Sequence, residues 1–325
     1  MRDYQIETIA FYNVENLFDT ADDTLTFDDD RTALGKDRWT EERYNRKIEN
    51  IAKVLSEIGK EETGNSPLII GLCEIENLLV LEDLVSHPLL EQKKYGIIHF
   101  DSPDERGIDV ALHYRKKDFI PINSQPRKLM IYDSDKRDYT RDQLVVSGLL
   151  HGEEIHFIVN HWPSRSGGEA KSSYKREKAA SLNKRIIDSI YREDPNARII
   201  GMGDFNDDPT NKSFKKILQT KADKNELKSG ELYNPMELLH KNGKGTLAYR
   251  DSWNLFDQFY LSQSLVSRNY EGFQLYKAGI FNPPYVITQT GQYRGYPLRT
   301  YGSSGYEPGY SDHFPVYLFL IREVK

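Results

Sequence analysis

The sequence has one cysteine, Cys73, among 325 residues, so no internal disulfide can form and a disulfide-stapled framework is excluded. No stretch approaches the roughly 18 apolar residues that span a bilayer. The opening MRDYQIETIAFYNVENLFD puts acids and amides where a secretory signal needs an apolar run. A soluble, cytoplasmic chain is expected, with export left open if a longer native amino terminus precedes this one. Basic excess is also lacking: 44 Lys and Arg stand against 50 Asp and Glu, for a net charge of -6. Such a surface is not built as a whole for a polyanion, although a local basic groove or a bound cation can reverse the field at one site. Structural zinc is excluded by the lone thiol, and no His-Glu-x-x-His helix is present.

With 38% apolar side chains, the chain can bury a sizeable core, which rules out collagen-like and wholly disordered readings. Alternating and β-branched residues predict a strand at Gln5 to Tyr12, stopping at Asn13-Val14-Glu15-Asn16. After an acidic loop, Thr40 is placed to cap a helix whose Tyr44, Ile48, Ile51, Ala52, Leu55 and Ile58 form one stripe and whose end suits Gly59. Strands follow at Leu68 to Leu72, Tyr95 to His99 and Ile108 to Tyr114, and a hairpin is expected from Leu144 to Val159. A helix over about Ser173 to Arg192 precedes a strand at Arg198 to Met202. A short helix near Ser213 to Leu218 leads to further strands near Thr246, Phe256, Phe273 and Phe314. Strands outnumber helices and several are hairpin-linked, so a two-sheet, largely antiparallel α/β sandwich is expected.

The polar residues fall at strand boundaries. Asn13, Glu74, His161, Asp204 and Asn206 follow strands, whereas Asp257 and the Asp312-His313 pair open them. Ends of rising strands and beginnings of falling ones share one edge of an antiparallel core, so these distant positions can converge there. An oxygen-rich set of this kind suits a hard cation such as Mg2+, which takes six oxygen ligands and commonly keeps water. Cys73 adjoins Glu74, and strand alternation turns it away from the carboxylate as a core thiol.

Seven segments, in this order, carry a resemblance: Phe11-Tyr12-Asn13, Leu72-Cys73-Glu74, Arg106-Gly107-Ile108-Asp109-Val110-Ala111, Asn160-His161, Gly203-Asp204-Phe205-Asn206-Asp207, Phe256-Asp257 and Ser311-Asp312-His313. Over nearly its whole length the chain resembles the endonuclease/exonuclease/phosphatase superfamily, whose fold is that of deoxyribonuclease I. The resemblance implies a single domain over residues 1–325, a four-layer α-β-β-α sandwich with two mixed sheets, and a site at one end of them. It implies Glu74 as principal metal carboxylate, with Asn13 and Asp312 near the ion, and Mg2+ as cofactor with Mn2+ as the alternative. Asp204 and Asn206 would orient the attacking water and the phosphate. Asp257 would pair with His313, which contacts a phosphate oxygen, and His161 would supply a second contact. Cys73 departs from the common pattern, in which a glutamine precedes the metal-binding glutamate.

The expected chemistry is Mg2+-dependent hydrolysis of a phosphodiester, as in an endonuclease or exonuclease acting on DNA or RNA. The alternatives are a phosphomonoesterase acting on a small phosphorylated metabolite, a lipid-headgroup phosphodiesterase, and an inactive phosphate-binding module. Arg165, in a glycine-rich loop, offers a planar clamp for phosphate oxygens, and Arg106 and Arg141 are further substrate-binding candidates. Late-loop tyrosines at 293, 296, 301, 306 and 310 offer either stacking surfaces or loop packing, and Gly302-Ser303-Ser304-Gly305 is an anion-nest candidate.

Overall fold

The computed structural model describes residues 3–267, 270, 272–302 and 305–324. Along the chain, the strands of its two large sheets begin with β1 (Asp3–Leu17), β2 (Ile69–Ile75), β3 (Tyr95–His99), β4 (Asp109–Arg115), β5 (Phe119–Arg127) and β6 (Gln143–Leu150). They continue with β7 (Glu153–His161), β8 (Ile199–Asp204), β9 (Leu232–Tyr233), β10 (Asp257–Ser262), β11 (Gln274–Ile280) and β12 (Val316–Val324). The first sheet runs β11-β12-β1-β2-β4-β3 and the second β9-β10-β8-β7-β6-β5. Each sheet has one parallel pair at its centre, β1 with β2 and β7 with β8; the other pairings are antiparallel. Two parallel neighbours end on the same edge, so the central pairs bring Asn13 and Glu74, and His161 and Asp204, to strand ends.

Three apolar clusters define four layers. Between the sheets lie Phe11, Cys73, Val110, Phe157, Val159, Met202, Phe259 and Leu318. Helix α1 (Glu41–Glu57) covers the outer face of the first sheet with the expected stripe, buried against Ala10, Tyr12, Ile70 and Leu72. Its Thr40 side chain accepts from the Arg43 amide, and Gly59 takes a left-handed φ of 73° beyond its end. After the short α2 (Leu78–Ser86), the long α3 (Glu169–Glu193) covers the second sheet, packing Ala179, Leu182 and Ile186 near Ile158, Trp162 and Tyr260. The expected sandwich is thus present.

Three local features differ from the sequence reading. Strand β1 does not stop at Tyr12 but runs to Leu17 through a bulge. Strand β5 is unforeseen because Pro121 and Pro126 interrupt its pattern; it lies at the sheet edge, where a proline leaves no ladder bond unmade. The turn over Ser213–Leu218 is π-helical. The nest candidate falls on Ser303 and Ser304, which lie outside the described residues. No helix among the described residues is long and apolar enough to cross a membrane.

Candidate active site

The second sheet supplies a row of three adjacent residues at one end. His161 pairs in register with Asp204, and Asp204 with Asp257. Gly203 permits the approach, because a Cβ there would lie 2.4 Å from the Asn160 carbonyl oxygen. The facing edge of the first sheet carries Asn13 opposite Cys73. The Asn13 Nδ2 donates to Asp204 Oδ2 at 3.0 Å, pinning one sheet to the other inside the site. The same Asp204 oxygen lies 3.7 Å from His161 Nε2 and 3.9 Å from His313 Nε2. It is the geometric centre of the cluster.

Glu74 reaches this edge by a backbone irregularity. Its φ is 63°, a left-handed value that costs a non-glycine residue roughly 1–2 kcal/mol. The registers of β2 with both neighbours shift around it. Regular alternation would turn Glu74 and Cys73 to opposite faces; the bulge instead brings Glu74 Oε1 to 3.8 Å from His161 Nε2 on the second sheet. Its other oxygen accepts from the Asn16 amide at 2.9 Å, and Asn16 and Glu15 are themselves left-handed. Cys73 is a buried core thiol as expected, yet its sulfur also lies close to His161 and Asp204 beneath the site. Burial and the charges of Asp204 and Glu74 push its proton affinity well up, which keeps the thiol protonated.

The segment before β12 closes the site. The Ser311 hydroxyl donates to the Asn13 carbonyl at 2.7 Å and accepts the His313 amide at 3.1 Å. His313 Nδ1 meets Asp257 Oδ2 at 2.6 Å, with Asp257 fully buried and its other oxygen unpartnered. Burial alone would strip the proton from His313. The charges of Asp257, Asp204 and Asp312, with the Asp257 hydrogen bond, outweigh it and push its proton affinity well above the ordinary value, leaving an imidazolium. His161 is the reverse: burial, then the charges of Arg141, Arg106 and His313, drive its proton off. It is therefore a neutral ring, able to donate from one nitrogen only.

The carboxylates here carry more negative charge than their neighbours neutralise. Burial, reinforced by Asp257 and opposed by His313, pushes Asp204 up to about 6. Asp312 is pushed up to about 7 by desolvation and by Glu15 and Glu74, against the pull of His313 and Arg299. An oxygen-rich pocket of carboxylates with raised proton affinity is the donor set a hard divalent cation requires. Asp204 and Asp312 supply such oxygens here, Glu74 adds a third carboxylate, and the Asn13 side-chain oxygen already accepts the Glu15 amide at 2.9 Å.

Asn206 has a φ of 50°; its amide donates to Asp204 Oδ1 at 2.9 Å and its Nδ2 to the Trp162 carbonyl at 3.0 Å. Arg141 is buried, paired with Asp104 at 2.8 Å and sharing that Trp162 carbonyl, while Arg106 is half-exposed beside Asp104. Both line a groove that Pro163, two residues beyond His161, also lines. Arg165 is placed differently from the expected clamp. Its Nε donates to the Asn206 carbonyl at 2.9 Å, its Nη2 lies 3.4 Å from Asp208 Oδ2, and its guanidinium covers the Phe256 ring. It fixes the loop that carries Asn206 rather than presenting a free fork.

Several neighbours escaped the sequence reading. Glu15 is buried, accepts the Thr300 amide at 2.6 Å and lies 3.7 Å from the buried Lys47 ammonium. Arg299 bridges Glu15 at 3.3 Å and Asp312 at 3.1 Å. Glu15 lay within the polar end of β1 and was open to inference from its position two residues beyond Asn13; Arg299 sits in an aperiodic loop that gives no such signal. The fully buried Arg176 holds Asp207 at 2.5 Å, with Ser213 on the other Asp207 oxygen. Among the tyrosines, Tyr301, Tyr306 and Tyr310 pack against the α1 side, whereas Tyr296 and Tyr293 form a surface cluster with Trp253.

Residues 8–322 match the endonuclease/exonuclease/phosphatase family. The chain belongs to that family. No curated protein sequence matches it. A family protein of Bacteroides thetaiotaomicron has a similar fold at 19% identity and a TM-score of 0.59, covering 100% of this chain and 98% of that one. Humanized D. rerio TDP2 gives 15% identity and a TM-score of 0.57, with 97% and 98% covered. A mannosyl-6-phosphatase of Bacteroides thetaiotaomicron gives 19% identity and a TM-score of 0.56, with 97% and 99% covered. For this endonuclease/exonuclease/phosphatase-family chain, phosphoester hydrolysis is the common chemistry.

Proposed function

We propose that the chain hydrolyses a phosphoester with the help of a divalent cation, through in-line attack by water and without a covalent enzyme intermediate. The observation that carries this reading is the Asp204 carboxylate, held by Asn13 and flanked by the Nε2 atoms of His161 and His313. Asn13, Glu74 and Asp312 would hold the cation, Mg2+ or Mn2+, which would polarise a non-bridging phosphoryl oxygen and stabilise developing charge.

Asp204, raised to about 6, has a proton affinity near working pH, where a carboxylate can accept a proton from the attacking water. Asn206 extends from the same turn and keeps Asp204 Oδ1 engaged, which fixes the direction of the other oxygen. The His313 imidazolium, anchored from behind by Asp257, donates to a phosphoryl oxygen as negative charge grows there. Neutral His161 supplies a second donor without adding charge. Arg165, Arg176 and Asp207 hold the loop that sets the distance between these groups.

A diester-cleaving nuclease and a phosphomonoesterase are both forms of this chemistry, and the fold serves both kinds of substrate: a D. rerio TDP2 structure is complexed with a single-strand DNA product, and another similar fold is a mannosyl-6-phosphatase. The groove of carboxylates around Asp19, Asp23 and Glu76 favours the small ester here.

The test compares Mg2+-supported turnover of phosphomonoesters, diesters, DNA and RNA by the native chain, Glu74→Gln and Asp204→Asn. Thermal unfolding is measured with and without metal. The native protein should show a metal-dependent rise in melting temperature that Glu74→Gln loses, and Asp204→Asn should lose turnover at a matched melting temperature. Full turnover by both folded variants would refute the assignment.

A further inference from the structure

Two grooves meet beside the site, divided by Asp104, Glu105 and Tyr139, which line both. The larger, of about 560 Å³, is lined by eight carboxylates, Asp19, Asp22, Asp23 and Glu76 among them, and by no cation among the described residues. The smaller, of about 370 Å³, contains Arg106, Arg141 and Lys175 together with Asp138, Ser164 and Ser166. Pro163, two residues beyond His161, lines this smaller groove. Arg106 and Arg141 both act electrostatically on His161, and Arg141 shares the Trp162 carbonyl with Asn206. Arg141 is 5% exposed and its Nε is buried without a partner, as is the Thr140 hydroxyl.

Taking phosphoester hydrolysis at Asp204 as the underlying reading, we propose that the smaller groove receives the leaving group, that this group is neutral and polyhydroxylated, and that the substrate is a sugar or polyol phosphomonoester. The charge of such a molecule is concentrated at one end, matching Arg106 and Arg141 in the groove lining. Each hydroxyl of the remainder both donates and accepts. The walls offer both: the Lys175 ammonium and Asp138 carboxylate, paired at 2.6 Å, and the serine hydroxyls. Apart from Pro163 and Tyr139, whose ring already lies beneath the Arg137 guanidinium, the lining has no large apolar side chain, so an acyl chain finds no continuous apolar surface. A nucleic acid strand carries a phosphate at every nucleotide, and a strand crossing the neighbouring groove would set those charges against carboxylates. In the reaction, the water oxygen bonds to phosphorus while the bond from phosphorus to the ester oxygen breaks. The ester oxygen leaves with the electron pair and takes up a proton, giving the free sugar or polyol and inorganic phosphate.

The experiment measures kcat/KM with Mg2+ for hexose phosphates, glycerol phosphate, phenyl phosphate, a bis(nitrophenyl) phosphate diester and a single-stranded oligonucleotide. It uses the full chain and the variants Asp138→Ala, Lys175→Met and Trp253→Ala, each checked for folding by thermal unfolding. A site built to pair hydroxyls discriminates against substrates lacking them, so at least one hydroxylated monoester should exceed phenyl phosphate by about tenfold or more. Asp138→Ala and Lys175→Met should each cut kcat/KM for that ester about tenfold. Equal or better turnover of phenyl phosphate or the diester, with the groove variants unchanged on hydroxylated esters, overturns the proposal while leaving phosphoester hydrolysis in place. So does preferred oligonucleotide cleavage that falls in Trp253→Ala, since that assigns the leaving group to the aromatic surface cluster. Failure to hydrolyse any of the esters refutes the underlying hydrolase reading instead.

Discussion

Replacing Asp257 with asparagine isolates the charge behind His313. The amide oxygen can still accept from Nδ1, so the ring keeps its orientation, but the anion that helps hold the ring protonated is gone. Two unit charges about 4 Å apart at an effective dielectric of about 20 interact by about 4 kcal/mol. Loss of one donor to a developing oxyanion typically costs about 2.7–4 kcal/mol, or 10²–10³ in kcat. The two figures agree on the scale, and kcat in Asp257→Asn should fall by roughly 10²–10³ with little change in KM. Because Asp257 also crowds Asp204 with like charge, relief of that repulsion should offset part of the lost attraction, and the thermal midpoint should fall without loss of the fold. The assay pairs steady-state kinetics on the best ester with thermal unfolding, and with the proton resonance of His313 Nδ1 to establish that the hydrogen bond survives. A folded variant with the resonance retained and kcat within threefold of native would refute a charged His313 as phosphate donor.

Other outcomes follow from neighbouring features. His113 is fully buried with neither ring nitrogen partnered, and burial, then His99, push it from about 6.5 down to about 3. Its folded value is depressed, so the unfolded chain binds the extra proton and stability falls as pH drops from about 6.5 toward 3, by about 1.4 kcal/mol per pH unit. In metal-free urea denaturation, His113→Leu should remove about one proton's worth of that slope; parallel native and variant curves would contradict the burial argument. Arg176→Met leaves buried Asp207 with only the more distant Arg165 guanidinium at 3.6 Å, which should cost up to about 3–5 kcal/mol in denaturant unfolding; a loss under 1 kcal/mol would show that the loop does not depend on this pair. Arg299→Gln removes a half-exposed positive charge from Asp312 and Glu15. At about 1 kcal/mol for exposed charges near 4 Å, Mg2+ binding followed by calorimetry should tighten about fivefold, and weaker binding would mean that Arg299 organises the ligands instead.

The strand-boundary pattern makes much of the candidate site legible in the sequence. Asn13, Glu74, His161, Asp204 and Asp257 meet because neighbouring strands of the two sheets end or begin at one edge, and His313 joins them from the segment before β12; a period-two pattern with polar stops encodes where a strand ends. It does not encode a bulge. The left-handed turn at Glu74 reverses the expected relation to Cys73, since alternation holds only while the ladder is regular. Edge strand β5 was hidden for a related reason: its prolines are tolerated only because one side has no partner, a property of topology rather than of local pattern. Arg165 showed the remaining limit. A guanidinium in a glycine-rich loop reads equally as a substrate clamp or a loop brace, and only the position of Asn206 and Asp208 separates the two.

Strand β1 is hydrogen-bonded to β12 along its length, from Asp3 with Val324 to Phe11 with Val316. Synthesis therefore leaves one flank of the earliest strand bare for roughly three hundred residues, a long-range closure that slows folding. Ser311, which ties the Asn13 carbonyl to the His313 amide, follows Asn13 by 298 residues. Glu74 and Asp204 thus precede His313 by more than a hundred residues in order of synthesis, and the cluster closes only when β12 pairs with β1.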